Sequence, residues 1–157
     1  DERQHMARTL PAALRNRFKG RNVEFSLLDL RWGLTEEQLR EEGIVSACLA
    51  AVERCAPFFV GLLGDRYGTV PLIRADDFER HPWLRGLDGK SITELEIIHG
   101  VLSAHNRRAV FVDRTSGSAD KRVQDLLTTV RDSGAPILRN PATVERRNLS
   151  PTASRAS

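Results

Sequence analysis

PFFVGLLGDRYG, residues 57–68, decides how the chain is read. FFVGLLG, residues 58–64, is a continuous apolar run of strand length closed by glycine. Such a run marks a strand buried on both faces of a parallel sheet. DRYG then supplies a turn-rich exit, with Gly64 and Gly68 permitting a tight turn off the strand. Once one strand of this kind is granted, the flanking segments become helices and further strands of the same layer.

Upstream, residues 44 to 55 place Cys48, Ala51, Val52 and Cys55 on one helical face, and Pro57 ends that helix. Before it lies a charged loop, TEEQLREEG. Val23, Phe25 and Leu27 alternate in the manner of a strand running to Leu30. Residues 2 to 19 carry Met6, Leu10, Leu14 and Phe18 four apart, a helical stripe that Pro11 should kink or split.

Downstream, residues 72 to 90 form a polar excursion containing proline and glycine. SITELEIIHGVLSAH reads as a largely buried helix capped by Ser91 or Thr93. RAVFVDR is another short buried strand. SADKRVQDLLTTVRDSG puts Val123, Leu126, Leu127 and Val130 at helical spacing before a glycine stop. Ala135 to Leu138 make a last strand, and from Arg139 onward a polar stretch without periodicity reads as a disordered tail or linker.

Helices alternating with strands predict an α/β domain over 1–138: a parallel sheet with helices on both faces. In such sheets the site lies outside the carboxyl ends of the strands. Here those ends are DLRWGLTEE, GDRYG and DRTSG.

Composition narrows the class. The chain has 157 residues, 40% hydrophobic and 29% charged, enough for one domain with a real core. No apolar run approaches the roughly 20 residues that span a bilayer, and no signal-peptide layout opens the chain. It reads as cytoplasmic. The net charge of +3 comes from 24 basic against 21 acidic residues, scattered and without interleaved aromatics, which does not describe a specific nucleic-acid surface. Cys48 and Cys55, seven apart on a helix, lie about 10 Å apart along its axis. That is too far for a disulfide, and with no second ligand pair for a metal they read as two buried thiols.

GLDGKSITELE, residues 86–96, holds a Gly-Lys-Ser that invites comparison with a phosphate loop. Such a loop needs a glycine five residues before Gly89 and a buried strand upstream. Position 84 is Leu and HPWLRGLD is no such strand, so Gly-Lys-Ser is a lead-in to a helix. Glu94 and Glu96 follow in its first turn, where the macrodipole favours acidic residues by about 0.3–1 kcal/mol each. Two apart, they point to different sides, so at most one can face a crevice. Asp29, Arg31 and Trp32 stand where a strand emerges. They offer an acceptor, a bidentate donor and a stacking face, or equally a loop anchor with a salt bridge. Tyr67 suits packing within its loop, and His99 a satisfied boundary position.

The leading Glu-Arg of the first helix, the run from Asp29 to Thr35, the Cys48 to Cys55 helix followed by PFFVGLLGDRYG, and KSITELEIIHGVL together resemble the TIR-like domain of unknown function 4062. Nephrocystin-3-like proteins represent that family, in which the domain precedes NACHT or other STAND-type NTPase modules and tetratricopeptide or WD repeats. The resemblance implies a three-layer, flavodoxin-like parallel sheet and a signalling or interaction module that self-associates or contacts the NTPase and repeat domains.

Some TIR domains hydrolyse the nicotinamide glycosidic bond of NAD. By that resemblance Glu96 is the catalytic carboxylate, with Glu94 the alternate, and Asp29, Arg31, Trp32 and Tyr67 contact NAD as a substrate, with no covalently bound cofactor and no metal. A carboxylate suits the reaction because it can hold ribose hydroxyls and stabilise positive charge at the anomeric carbon. The alternatives are an inactive interaction scaffold using the loop from Arg31 to Gly43, or a nucleoside deoxyribosyltransferase-like enzyme. Family members begin with a strand and a Ser-rich loop that DERQHMARTL does not contain, so the chain is expected to be a fragment lacking the first strand.

Overall fold

The computed structural model describes residues 2–23, 43–103 and 108–139. They divide between two compact units, 1–37 and 38–157, each taken by itself below.

The first unit shows α1, Glu2–Arg17. It runs unbroken through Pro11 rather than splitting there. Proline removes from this helix the bond it cannot donate, to the carbonyl four residues back. Of the expected stripe, Met6, Leu14 and Phe18 are half-buried, whereas Leu10 is exposed. Val23 is not in a strand. The remainder of the strand expected to Leu30 lies outside the described residues.

The second unit holds α2 (Ile44–Arg54), β1 (Phe58–Leu63), α3 (Ala75–Arg80), a 3-10 turn (Pro82–Leu84), α4 (Ile92–Ile97), a π-helix (Ile98–Leu102), β2 (Arg108–Asp113), α5 (Lys121–Asp132) and β3 (Ile137–Arg139). The three strands form a parallel sheet in the order β1-β2-β3. Arg139, assigned from sequence to the tail, is therefore part of β3.

One face of this sheet builds the main core. Phe59, Leu63, Phe111 and Ile137 meet Ile97, Val101 and Leu102 from α4 and the π-helix, and Val123, Leu126, Leu127 and Val130 from α5. Consecutive parallel strands joined by crossovers of one hand carry both connecting helices to the same side. At the centre Gly61 leaves room for the Phe111 ring, because a Cβ there would sit 2.3 Å from its Cδ1.

The other face departs from the expectation of a strand buried on both sides. Phe58, Val60 and Leu62 are 61%, 65% and 38% exposed, and Leu138 is 58% exposed. Register sets Leu62, Val112 and Leu138 side by side, with Val60 beside Val110. Adjacent paired residues share a face, so this row is one apolar surface.

The excursion 72–90, polar by composition, contains a second core. Leu84 is fully buried with Val45, Leu49 and Leu95, and Ile73, Phe78, Trp83, Leu87 and Ile92 pack against them. Beneath it Asp77 is buried and satisfied. It accepts from the Ser46 hydroxyl at 2.6 Å and the Arg74 amide at 2.9 Å, as a buried carboxylate must. Cys48 is buried, but Cys55, the residue just past the end of α2, is exposed.

Candidate carboxylate site at the strand ends

The loops leaving β1 and β2 are tied to one another through Asp65, and a second aspartate, Asp113, closes the turn at the end of β2. Asp65 Oδ1 accepts from the Ser116 amide at 2.5 Å, and the Asp65 carbonyl from the Asp120 amide at 3.0 Å. Buried Asp113, at the end of β2, accepts from the Thr115 amide at 2.9 Å and the Thr115 hydroxyl at 2.6 Å. This is a short aspartate turn that satisfies a carboxylate locally. Neither residue is singled out in the sequence reading. The signal was present: both strands leave through Asp-Arg, GDR and VDR.

Tyr67 sits at the centre of these loops, buried. The Arg122 guanidinium carbon lies 4.2 Å from its ring centre, a cation–π arrangement. Its hydroxyl donates a short hydrogen bond to Glu94 Oε2 and accepts from the Ser91 amide at 3.2 Å. Burial, and then the bond to Glu94, push the Tyr67 hydroxyl above its ordinary value. Arg122 is also held by Asp120, 2.9 Å away.

Glu94 and Glu96 diverge because their side chains leave α4 two residues apart. Ser91 caps the helix, its hydroxyl accepting from the Glu94 amide at 3.2 Å. Glu94 turns toward the β1 exit, where Tyr67 occupies Oε2 and Lys90 Nζ lies 2.5 Å from Oε1. Glu96 turns toward α2, half-buried, and accepts a hydrogen bond from the Cys48 thiol. Burial first, and then the Glu96 charge and hydrogen bond, raise that thiol to about 11. Cys48 is thus a protonated donor near neutral pH rather than a nucleophile.

The structure therefore brings Tyr67 and Glu94 together and directs Glu96 to a separate partner. Asp29, Arg31 and Trp32, and the loop from Arg31 up to Gly43, lie outside the described residues. His99 is a satisfied boundary residue, 2.9 Å from Glu53 Oε1. Among the described residues, no three His, Cys, Asp or Glu side chains are grouped to hold a metal ion. No helix among them is long and apolar enough to cross a membrane.

Fold and site define an α/β domain with a parallel sheet, carrying two divergent carboxylates on α4, between β1 and β2. The chain belongs to the family described as domain of unknown function (DUF4062), whose profile matches residues 1–140. It is similar to telomerase protein component 1 of Mus musculus, 37% identical over 101 residues, covering 62% of this chain and 4% of that protein. It is also similar to tetratricopeptide repeat protein 41 of Mus musculus, 30% identical over 152 residues and covering 75% of this chain and 12% of that protein. NACHT domain- and WD repeat-containing protein 1 of Mus musculus is 33% identical over 81 residues, or 48% of this chain and 5% of that protein. No solved structure matches the chain. The relatives are large proteins in which the matched region is a small part, consistent with a domain of a multidomain protein.

Proposed function

We propose that this chain is a TIR-like, cytoplasmic interaction and signalling module of a larger NACHT or STAND-type NTPase, acting by self-association through the open face of its sheet. The observation that carries this reading is the apolar row of Phe58, Val60 and Leu62 on β1, continued by Val112 and Leu138. A contiguous exposed apolar patch marks an interaction surface. Arg108 pairs with Phe58 in the sheet, its guanidinium carbon 5.8 Å from the ring centre. An apolar row of this kind is matched by an identical row on a second copy, the condition for an isologous pair. Light scattering across a concentration series tests it. A dimer that Val60→Glu converts to monomer is expected. A strict monomer that also fails to capture a co-expressed NTPase or repeat domain of the longer protein would sink the proposal.

A second reading is hydrolysis of the nicotinamide glycosidic bond of NAD, with Glu96 the carboxylate that the resemblance to TIR domains implies. Glu94 is engaged by Tyr67 and Lys90, so Glu96, held by a thiol, is the carboxylate to test. In this reading Glu96 holds the ribose hydroxyls and stabilises developing charge at the anomeric carbon. Nicotinamide release that disappears in Glu96→Ala supports it, whereas release equal to that control removes it. Turnover of nucleosides in place of NAD would instead indicate a deoxyribosyltransferase-like activity.

A further inference from the structure

His81, Trp83 and His99 form a cluster that none of the functions above uses. Trp83 lies flat on the His99 ring, with centroids 5.2 Å apart and planes 5° apart. His81 meets both edge-on, 6.3 Å from Trp83 and 6.0 Å from His99. The rings come from three elements. His81 follows α3, Trp83 belongs to the 3-10 turn and His99 to the π-helix. The contact therefore fastens the 72–90 excursion to the helix that carries Glu94 and Glu96. The excursion also ends at Lys90 and Ser91, the ion-pair partner of Glu94 and the cap of α4.

His99 has the Glu53 carboxylate at 2.9 Å and the face of the Trp83 indole against it. His81 is faced by Glu53 from α2, by Asp77 and Arg80 from α3, and by His99 from the π-helix. Asp77 already accepts from Ser46 and the Arg74 amide. Burial first, and then the neighbouring His99, hold His81 below the ordinary imidazole value, against the opposite pull of Glu53 and Asp77.

We propose that the His81–Trp83–His99 cluster is a proton-operated clamp: a proton on His81, which meets both other rings edge-on, parts the rings and frees the Pro82–Leu84 turn from the π-helix. The sign follows from linkage. A histidine whose folded value is depressed adds stability above its unfolded value, about 6.5. That stability is lost as pH falls from there through the folded value. Opening would loosen the lead-in to α4, so the device couples acidification to the carboxylate helix without touching either carboxylate.

The full chain tests this with Trp32→Phe, which leaves Trp83 as the single indole. Between pH 8 and 5 the emission of Trp83 is expected to shift to the red and Tm to fall, with a midpoint below about 6.5. His81→Asn in the same background should hold its emission and Tm across that range. The same acid red shift in His81→Asn would overturn the clamp. A second measurement covers the case in which that variant is itself loosened: NMR titration of the His81 ring in the unsubstituted chain. A midpoint below that of a free imidazole supports the proposal, and one at or above it overturns it.

Discussion

Gly61 and Phe111 face each other across paired strands, and the phenyl ring occupies the volume a side chain at 61 would need. Phe111 is fully buried and cannot swing aside. Gly61→Ala should therefore cost about 1–3 kcal/mol, the usual range for overpacking a tight core, read as a lower urea midpoint with an unchanged slope. Cys48 permits a different test. Its thiol is raised from 9.0 to about 11, so the folded state holds a proton that the unfolded state releases first. Its contribution is complete below about pH 9 and is lost as pH rises toward 11. Cys48→Ser keeps a donor to Glu96 without titrating in this range. Its Tm should fall less than that of the parent between pH 8.5 and 10.5; equal losses would show that the pair does not couple to folding.

At the scale of elements, the segment read as one helix from Ser91 is two. α4 gives way to a π-helix at Ile98, where the Ser103 amide bonds the Ile98 carbonyl at 2.9 Å. The wider turn presents Gly100 to α2 and β1 so closely that a Cβ would meet Val52 Cγ1 at 2.7 Å and Phe59 at 2.9 Å. A π-turn inserts one residue and rotates all that follows. Here it places His99 on Trp83 while keeping Ile97 and Val101 in the core. Gly100→Ala should force α2 outward and cost about 1–3 kcal/mol, with hydrogen exchange rising first in Ile44–Arg54. Unchanged protection of α2 would mean that the close approach is relieved elsewhere.

In the second unit the sheet has one face built into a core and another on which Phe58, Val60, Leu62 and Leu138 are exposed. If the open face pairs with a second copy, association must stabilise the folded state by mass action. Tm should then rise with protein concentration in the parent chain and stay constant in Val60→Glu. A concentration-independent Tm in both would indicate that the row serves another partner.

Much of this architecture was legible from local pattern. The α5 stripe of Val123, Leu126, Leu127 and Val130, all buried, and the strands at Phe58 and Arg108 follow from periodicity and apolar runs. So does the divergence of Glu94 and Glu96, because side-chain direction on a helix depends only on spacing. Other features depend on what each residue meets across the fold. Leu84 is buried although it lies in an excursion that reads as polar, since residues of α2 and α4 cover it. FFVGLLG reads as buried on both sides, yet among the described residues the core closes the side facing α4, the π-helix and α5, while Phe58, Val60 and Leu62 are exposed. An apolar run states that a strand can be buried, while neighbours decide which face is. In the same way the sequence by itself determined that two carboxylates would stand on the helix that starts after Ser91. Only the tertiary structure decided that Tyr67 engages Glu94 while Cys48 holds Glu96, because those partners stand 27 and 48 positions away and meet them only through packing.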